Sequence, residues 1–171
     1  QAVRDTGIDL LWVEDPILRS DFAGLRMLRQ SAPWTQINSG EYLDLSGKRQ
    51  LLEAEGADII NVHAQVGDVM KIGWLAAEKA IPVSLGNTFL EMGVHMACAL
   101  PEVEWLEYSF QNFDHLVEQP IDIRDGWAHA PDRPGHGLVL SETARRDWSR
   151  PDVLARADLG TAPYNPRLPI F

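Results

Sequence analysis

Four short apolar runs along the chain each end in a polar residue that can act chemically. They occupy residues 12–16, 38–41, 61–63 and 105–108. In a (β/α)₈ barrel the carboxyl ends of all strands meet at one face, so groups about 20 to 30 residues apart in sequence converge on one ligand. We therefore interpret the runs as barrel strands that deliver side chains, many of them acidic, to one site.

The segments around these runs alternate between strand and helix signals. Gly56 stands where the C-terminal cap of a helix is expected. Five strands that alternate with four helices indicate βαβ units and a parallel sheet. The predicted strands are 9–14, 34–39, 57–63, 81–85 and 103–108, and the predicted helices are 22–31, 45–55, 69–80 and 89–100.

Length and turn residues limit this barrel. The chain has 171 residues, whereas a complete barrel needs about 250 residues. We predict an α/β fold that forms the C-terminal part of a TIM-type barrel, incomplete, over residues 1–109. A turn-rich segment with short strands at 121–123 and 138–140 is expected over 110–150, and an irregular tail over 151–171.

The formal net charge is −10. Such an acidic chain lacks the electrostatic attraction for nucleic acid or an anionic membrane, and a cluster of carboxylates favours a cation instead. Neither a run of about 18 apolar residues nor a charged leader is visible, so no membrane span or signal peptide is predicted. The single Cys98 cannot form an internal disulfide; we expect it in the core of a cytoplasmic protein.

Glu14 and Glu41 end adjacent predicted strands, so both carboxylates would face one mouth of the barrel. Hard carboxylate oxygens suit Mg²⁺ better than softer metals. Two glutamates alone hold Mg²⁺ poorly, because a hexacoordinate ion needs further oxygens from a third carboxylate, water or substrate. The alternative is that each glutamate caps the following helix or pairs with a lysine.

Five sequence motifs, taken together, indicate a protein family more specifically than either glutamate alone. Over residues 5–145 the motifs resemble the C-terminal barrel domain of the enolase superfamily, in particular its mandelate racemase and acid-sugar dehydratase branch. They are Trp12-Val13-Glu14-Asp15-Pro16, Ser39-Gly40-Glu41, Met70-Lys71-Ile72, Trp105-Leu106-Glu107-Tyr108 and Asp132-Arg133-Pro134-Gly135-His136-Gly137.

The resemblance implies a magnesium site. In that family, carboxylates at the ends of the third, fourth and fifth strands hold Mg²⁺ while a base removes the proton α to a carboxylate. Glu14 matches the fourth-strand ligand and Glu41 the fifth. The third-strand Asp, the Lys-x-Lys motif of the second strand and most of the capping domain would lie upstream of Gln1.

Three further residues are implied as site residues. One branch of the family has an Asp on the sixth strand and a His on the seventh that together act as the general base. This chain has His63 and Asn87 at those positions. His63 could exchange a proton, bind a substrate oxygen or simply be hydrogen-bonded at a strand end. Asn87 cannot be a base; it could bind a substrate carboxylate or cap the next helix. Glu107 matches the eighth-strand acid that hydrogen-bonds the substrate carboxylate when protonated, which requires a raised pKa.

The predicted function is a Mg²⁺-dependent lyase that dehydrates an acid sugar, a small hydroxy-carboxylate, by α-proton abstraction and loss of the β-hydroxyl. The alternative within the superfamily is a racemase or cycloisomerase. A different alternative is a non-catalytic fragment or subunit that needs another polypeptide to complete its barrel, since free sheet edges invite pairing. We expect either a homo-oligomer or completion by an N-terminal region.

Overall fold

The centre of the fold is a five-stranded sheet in which all strands are parallel. The computed structural model describes residues 2–86, 90–109 and 113–149. Strands that follow one another in sequence are neighbours in the sheet, as in a barrel wall. This confirms the predicted parallel α/β fold. The strands are β1 Trp12–Glu14, β2 Gln36–Ser39, β3 Ile59–Val62, β4 Val83–Leu85 and β5 Val103–Leu106.

Helices precede or connect these strands. Two of them begin at aspartate caps, which supply an acceptor for a backbone N–H that has no partner within the helix. The Asp21 carboxylate accepts from the Gly24 N–H at 2.9 Å, and that of Asp44 accepts from the Gly47 N–H at 2.7 Å. The helices are α1 Ala2–Asp5, α2 Phe22–Ser31, α3 Leu45–Glu53, α4 Val66–Glu78 and α5 Leu90–Ala99.

Several helix boundaries differ from the prediction by one to three residues. Helix α4 begins at Val66, before the predicted residue 69. The start could not be predicted because the N-cap Gln65 makes no side-chain cap bond and so leaves no signal in the sequence. Helix α3 ends in a Schellman-type turn whose left-handed residue is Glu55, with φ of +57°, and not Gly56. The Gly56 N–H donates to the Leu51 carbonyl at 3.1 Å. A Cβ on Gly56 would lie 2.7 Å from Leu51 Cδ1, so any other residue there would displace the buried Leu51 side chain.

The main core lies between the helices and one face of the sheet. Alternate strand residues point to this face because side chains alternate across a strand. They pack against apolar residues from α2, α3 and α4, and the whole set is buried. The strand residues are Ile37, Ile60, Val62, Val83 and Leu85, and the helix residues include Leu25, Leu51, Leu52, Val69, Ile72 and Ala76.

The sheet is strongly curved. Strands β1 and β5 are its two edges, and in a flat sheet they would lie about 19 Å apart, four spacings of about 4.8 Å. Nevertheless Trp12 on β1 and Trp105 on β5 meet edge to face, with ring centroids 5.2 Å apart. The curvature therefore brings the two edge strands toward each other on the face opposite the helices.

Beyond β5 the structure is a hairpin and short helical elements. Strands β6 Asp122–Arg124 and β7 Trp127–His129 pair antiparallel, and Asp125 and Gly126 join them with φ of +53° and +81°, typical of a two-residue hairpin turn. A 3₁₀ helix Asp114–Leu116 and helix α6 Glu142–Trp148 complete this part. The predicted strand at 121–123 overlaps β6. The one at 138–140 is wrong, since only an isolated bridge between Val117 and Leu140 forms there.

Several side chains outside the proposed site can be placed. Cys98 is exposed, so its prediction as a core residue is wrong; it lies on the exposed side of the end of α5, between the buried Met96 and Leu100. Lys71 is solvated and pairs with Asp68. The His95 Nε2 lies 3.1 Å from the His136 carbonyl oxygen.

Among the helices that the structure describes, none is long and apolar enough to cross a membrane. Residues 151–171, the predicted tail, lie outside the described ranges.

The edges of the sheet lead to a first prediction. Within the described residues β1 and β5 each pair with a strand on one side only, and an unpaired strand edge is a template for another chain. We expect the chain expressed alone over residues 1–171 to self-associate and to turn over no acid sugar. Light scattering after size exclusion would measure this, and a monodisperse, active monomer would contradict it.

Candidate active site

Three carboxylate-bearing residues stand at the carboxyl ends of the strands. Glu14 is the last residue of β1, Glu41 follows β2 and Glu107 follows β5. Strands β1 and β2 are parallel, with Glu14 beside Asn38 in the register, so both end at the same edge. The Glu107 N–H donates to the Leu85 carbonyl at 2.8 Å, which holds the end of β5 beside β4.

The electrostatics of Glu14 agree with this placement at one edge of the sheet. The pKa of Glu14 is raised above its usual value, first by partial burial of the carboxyl group and then by repulsion from Glu41, Asp15 and Glu107, while Arg19 opposes the shift. Repulsion of this kind requires proximity, because water and salt screen distant charges. The structure thus brings Glu14, Glu41 and Glu107 to one face of the curved sheet.

Neither alternative role of the glutamates as caps or ion-pair partners is found. The caps of the following helices are Asp21 and Asp44, not Glu14 and Glu41. Neither glutamate forms an ion pair within the residues that the structure describes. Lys48 does contact Glu41, but its ammonium donates to the backbone carbonyl at 3.1 Å. The two carboxylates therefore remain available to a ligand.

The carboxylates suit a hard cation in part. A divalent ion would relieve the repulsion between Glu14 and Glu41, and their oxygens are the donor type that Mg²⁺ prefers. Across the described ranges, however, no three His, Cys, Asp or Glu side chains are arranged so that they could hold a metal by themselves. Glu14 and Glu41 therefore have the chemistry of two magnesium ligands but do not form a complete site among the described residues, and their assignment stays a prediction.

A network around Asp15 fixes the ends of β1 and β2. Asp15 has a φ of +39°, and its carboxylate accepts from the Ser39 hydroxyl at 2.6 Å and from the Gly40 N–H at 3.4 Å. It also pairs with Arg19 at 3.0 Å. Gly40 has a φ of +110°, which explains the glycine in the Ser-Gly-Glu motif. This network could not be predicted from the sequence, because Asp15 acts through contacts with the next strand.

Lys48 is a second residue that the sequence did not indicate. It is 1% exposed, and its ammonium donates to the carbonyls of Glu41 and Leu43. Burial lowers its pKa to about 8, although Asp44 and Glu41 act in the opposite direction. These hydrogen bonds close the loop that carries the Glu41 carboxylate.

The lowered pKa predicts how stability depends on pH. Between about 8 and 10.5 the unfolded chain keeps the Lys48 proton and the metal-free folded chain has released it, so the free energy of unfolding rises with pH. The full difference corresponds to about 3 kcal/mol. Urea unfolding of the wild type and Lys48→Met from pH 7.5 to 10.5 measures this. The difference between the two free energies should grow with pH in favour of the wild type; a constant difference would contradict the prediction.

His63 follows β3 and is exposed at the same strand-end face. Its ring contacts the Tyr42 ring, with centroids 5.8 Å apart and planes at 37°. The Arg19 guanidinium lies over the Tyr42 ring, 4.7 Å from its centroid. Asn87, the predicted substrate-binding residue of the next strand end, lies outside the described residues.

The inner face of the sheet is polar below the glutamates. Asn38 and Asn61 are 0% and 3% exposed, and Asn61 is in register with Ser84. Within the part of the chain that the structure describes, both Asn38 amide atoms and the Asn61 Oδ1 have no hydrogen-bond partner. A Cβ on Gly86 would lie 2.3 Å from the Asn61 Oδ1, so glycine is needed beside it. Buried amides without partners are costly.

Comparison with known proteins places these observations in a family. The family model described as enolase C-terminal domain-like matches residues 1–144. The L-talarate/galactarate dehydratase of Salmonella typhimurium is 31% identical over 147 residues, which cover 83% of this chain and 36% of the dehydratase. The chain therefore spans about a third of the length of this relative.

Solved structures agree with this match. The crystal structure of a mandelate racemase candidate from Mesorhizobium loti is 77% identical, with a TM-score of 0.83, and the alignment covers 98% of this chain and 45% of that one. The structure of L-talarate dehydratase from Polaromonas sp. JS666, complexed with Mg and L-glucarate, is 30% identical with a TM-score of 0.72. That alignment covers 83% of this chain and 40% of the dehydratase.

Proposed function

Because the chain belongs to the enolase C-terminal domain-like family, we propose that it supplies part of the active site of a Mg²⁺-dependent lyase. The enzyme would remove the proton α to the carboxylate of an acid sugar and expel the β-hydroxyl as water. The observation that carries this proposal is that Glu14, Glu41 and Glu107 all stand at the carboxyl ends of parallel strands, where Glu41 and Glu107 both raise the pKa of Glu14. Relatives that dehydrate talarate or galactarate support the substrate class.

Glu14 and Glu41 would hold the metal. When bound, Mg²⁺ would supply positive charge next to the substrate carboxylate and so lower the barrier to removal of a weakly acidic α-proton. The loop of Glu41 is fixed for this purpose by Lys48 and by Asp15, through Gly40. A further ligand would come from a part of the enzyme upstream of this chain.

The remaining residues would bind and orient the substrate. Glu107 approaches from the β5 edge, opposite β1, where it could hydrogen-bond the substrate carboxylate. His63 stands between these two edges and could exchange a proton with the substrate or bind one of its oxygens. Asn87 would contribute a hydrogen bond. The base is either His63 or an upstream lysine.

Racemisation or cycloisomerisation is the second candidate function within the superfamily. Racemisation requires proton transfer on two faces of the substrate, and Asn87 offers no base at the seventh strand of the proposed barrel. Dehydration needs α-proton removal on one face only. The residues of this chain therefore favour the dehydratase over the racemase.

A panel of acid sugars tests the proposed function. The longer polypeptide that we propose, with the region upstream of Gln1, would be incubated with L-talarate, galactarate and other acid sugars in Mg²⁺. We expect a 2-keto acid, detected as its semicarbazone, and no product after chelation of the metal. Epimerised substrate with no loss of water would instead favour the racemase, and no reaction with any acid sugar would contradict both.

A further inference from the structure

A row of three side chains crosses the ends of the first three strands. The Arg19 guanidinium lies over the Tyr42 ring at 4.7 Å, and the Tyr42 ring contacts the His63 ring at 5.8 Å. We refer to Arg19 and Tyr42 as the Arg19–Tyr42 stack. The row begins with Arg19 in the segment after β1, continues with Tyr42 next to Glu41 and ends at His63.

The first member of this row cannot move freely. Asp15 holds the Arg19 guanidinium at 3.0 Å, and Asp15 is itself fixed by the Ser39 hydroxyl at 2.6 Å. Because a planar guanidinium stacks well on an aromatic face, the fixed Arg19 restricts the Tyr42 ring. Tyr42 is 60% exposed, so the protein interior does not hold its ring in place.

His63 depends on this stack for its orientation. It is exposed, and among the described residues no hydrogen bond or ion pair to its ring is found. An exposed imidazole at a strand end would otherwise sample several rotamers. The contact with Tyr42 is the specific interaction that favours one orientation.

We propose that Arg19 and Tyr42 are positioning residues that hold the His63 imidazole at the mouth of the site. Aromatic ring pairs of this kind change a conformational population by about twofold to tenfold. Loss of the stack therefore lowers the ratio of oriented to other His63 rotamers by about that factor. The orientation itself follows from the geometry, whereas its effect on turnover rests on the proposed function.

Ring NMR signals of His63 test the orientation in the chain itself. The chain has five histidines, and the signal lost in His63→Asn identifies the right one. In Tyr42→Leu and Arg19→Met the ring signals should shift toward those of histidine in a short peptide. Tyr42→Phe, which keeps the ring, should leave them near the wild-type positions.

Arg26→Met is the matched control. Arg26 lies on helix α2, where it pairs with Glu55 at 3.5 Å, and its replacement should leave the His63 signals unchanged. If Arg19→Met perturbs the backbone amide spectrum, Arg19→Lys provides a second test, because it keeps the charge but lacks the planar stacking group. Unchanged His63 signals in Tyr42→Leu, or in the folded Arg19 variants, would overturn the proposal.

A double-mutant cycle distinguishes positioning from a general structural role. In the longer enzyme Tyr42→Leu should lower kcat/KM about twofold to tenfold, yet cause no further loss in a His63→Asn background. An equal loss in both backgrounds would mean that Tyr42 acts independently of His63, which overturns the proposal. If no acid sugar is turned over, the proposed function fails while the NMR result still decides the positioning role.

Discussion

His63→Asn in the longer enzyme is expected to lower kcat by about 10²- to 10⁴-fold if His63 transfers a proton. Asparagine has a similar size and can still form hydrogen bonds, but it cannot exchange a proton near neutral pH. The measurement is kcat and KM for each acid sugar that the wild type accepts.

The split between the two parameters separates the roles of His63. Loss of a binding contact alone should mainly raise KM, because substrate and transition state then lose the same interaction. His129→Asn, in the exposed strand β7 of the hairpin, is a control of the same residue type outside the proposed site. An unchanged kcat/KM in His63→Asn would remove His63 from the mechanism.

In the longer enzyme, Glu41→Gln is expected to weaken Mg²⁺ binding by more than about 100-fold. Changes to residues that only support a metal ligand cost about 10- to 100-fold in affinity, and the loss of a charged ligand should cost more. The variant keeps the size of the side chain and the backbone carbonyl that accepts from Lys48. Isothermal titration with Mg²⁺ would measure the affinity.

Glu53→Gln is the matched control for the metal. Glu53 lies on α3 with its side chain 58% exposed and pairs with Arg49, so the substitution removes a carboxylate without touching the strand ends. Its Mg²⁺ affinity should match that of the wild type. Equal affinities of wild type and Glu41→Gln would remove Glu41 from the magnesium site.

The sheet and its helices could be predicted because their signals are local. Apolar runs ending in polar residues, aspartates at helix starts and prolines after helices are read from neighbouring positions. The grouping of Glu14 with Glu41 also follows from the sequence, since parallel strands end at one edge. That much of the site depends on topology alone.

The contacts that organise the site could not be predicted in the same way. Asp15 acts through Ser39 on the next strand, and Arg19 reaches Tyr42 through space, so both depend on the register and on loop geometry. Lys48 is buried by the fold of the Glu41 loop, although its position in a helix suggests an exposed side chain. At the end of α3, Glu55 rather than glycine adopts the left-handed conformation. Residue preference alone favours glycine at such a position and so did not predict it.

Exchange of the substrate α-proton with solvent is the most direct test of the proposed chemistry. The longer enzyme, substrate and Mg²⁺ in D₂O would be followed by ¹H NMR during partial turnover, with Glu41→Gln in parallel. We predict loss of the α-proton from the carbon next to the carboxylate, accompanied by formation of the dehydrated keto acid, and neither change in Glu41→Gln or after chelation. Dehydration or exchange that continues at the wild-type rate without Mg²⁺, or in Glu41→Gln, would contradict a site built on these strand-end glutamates.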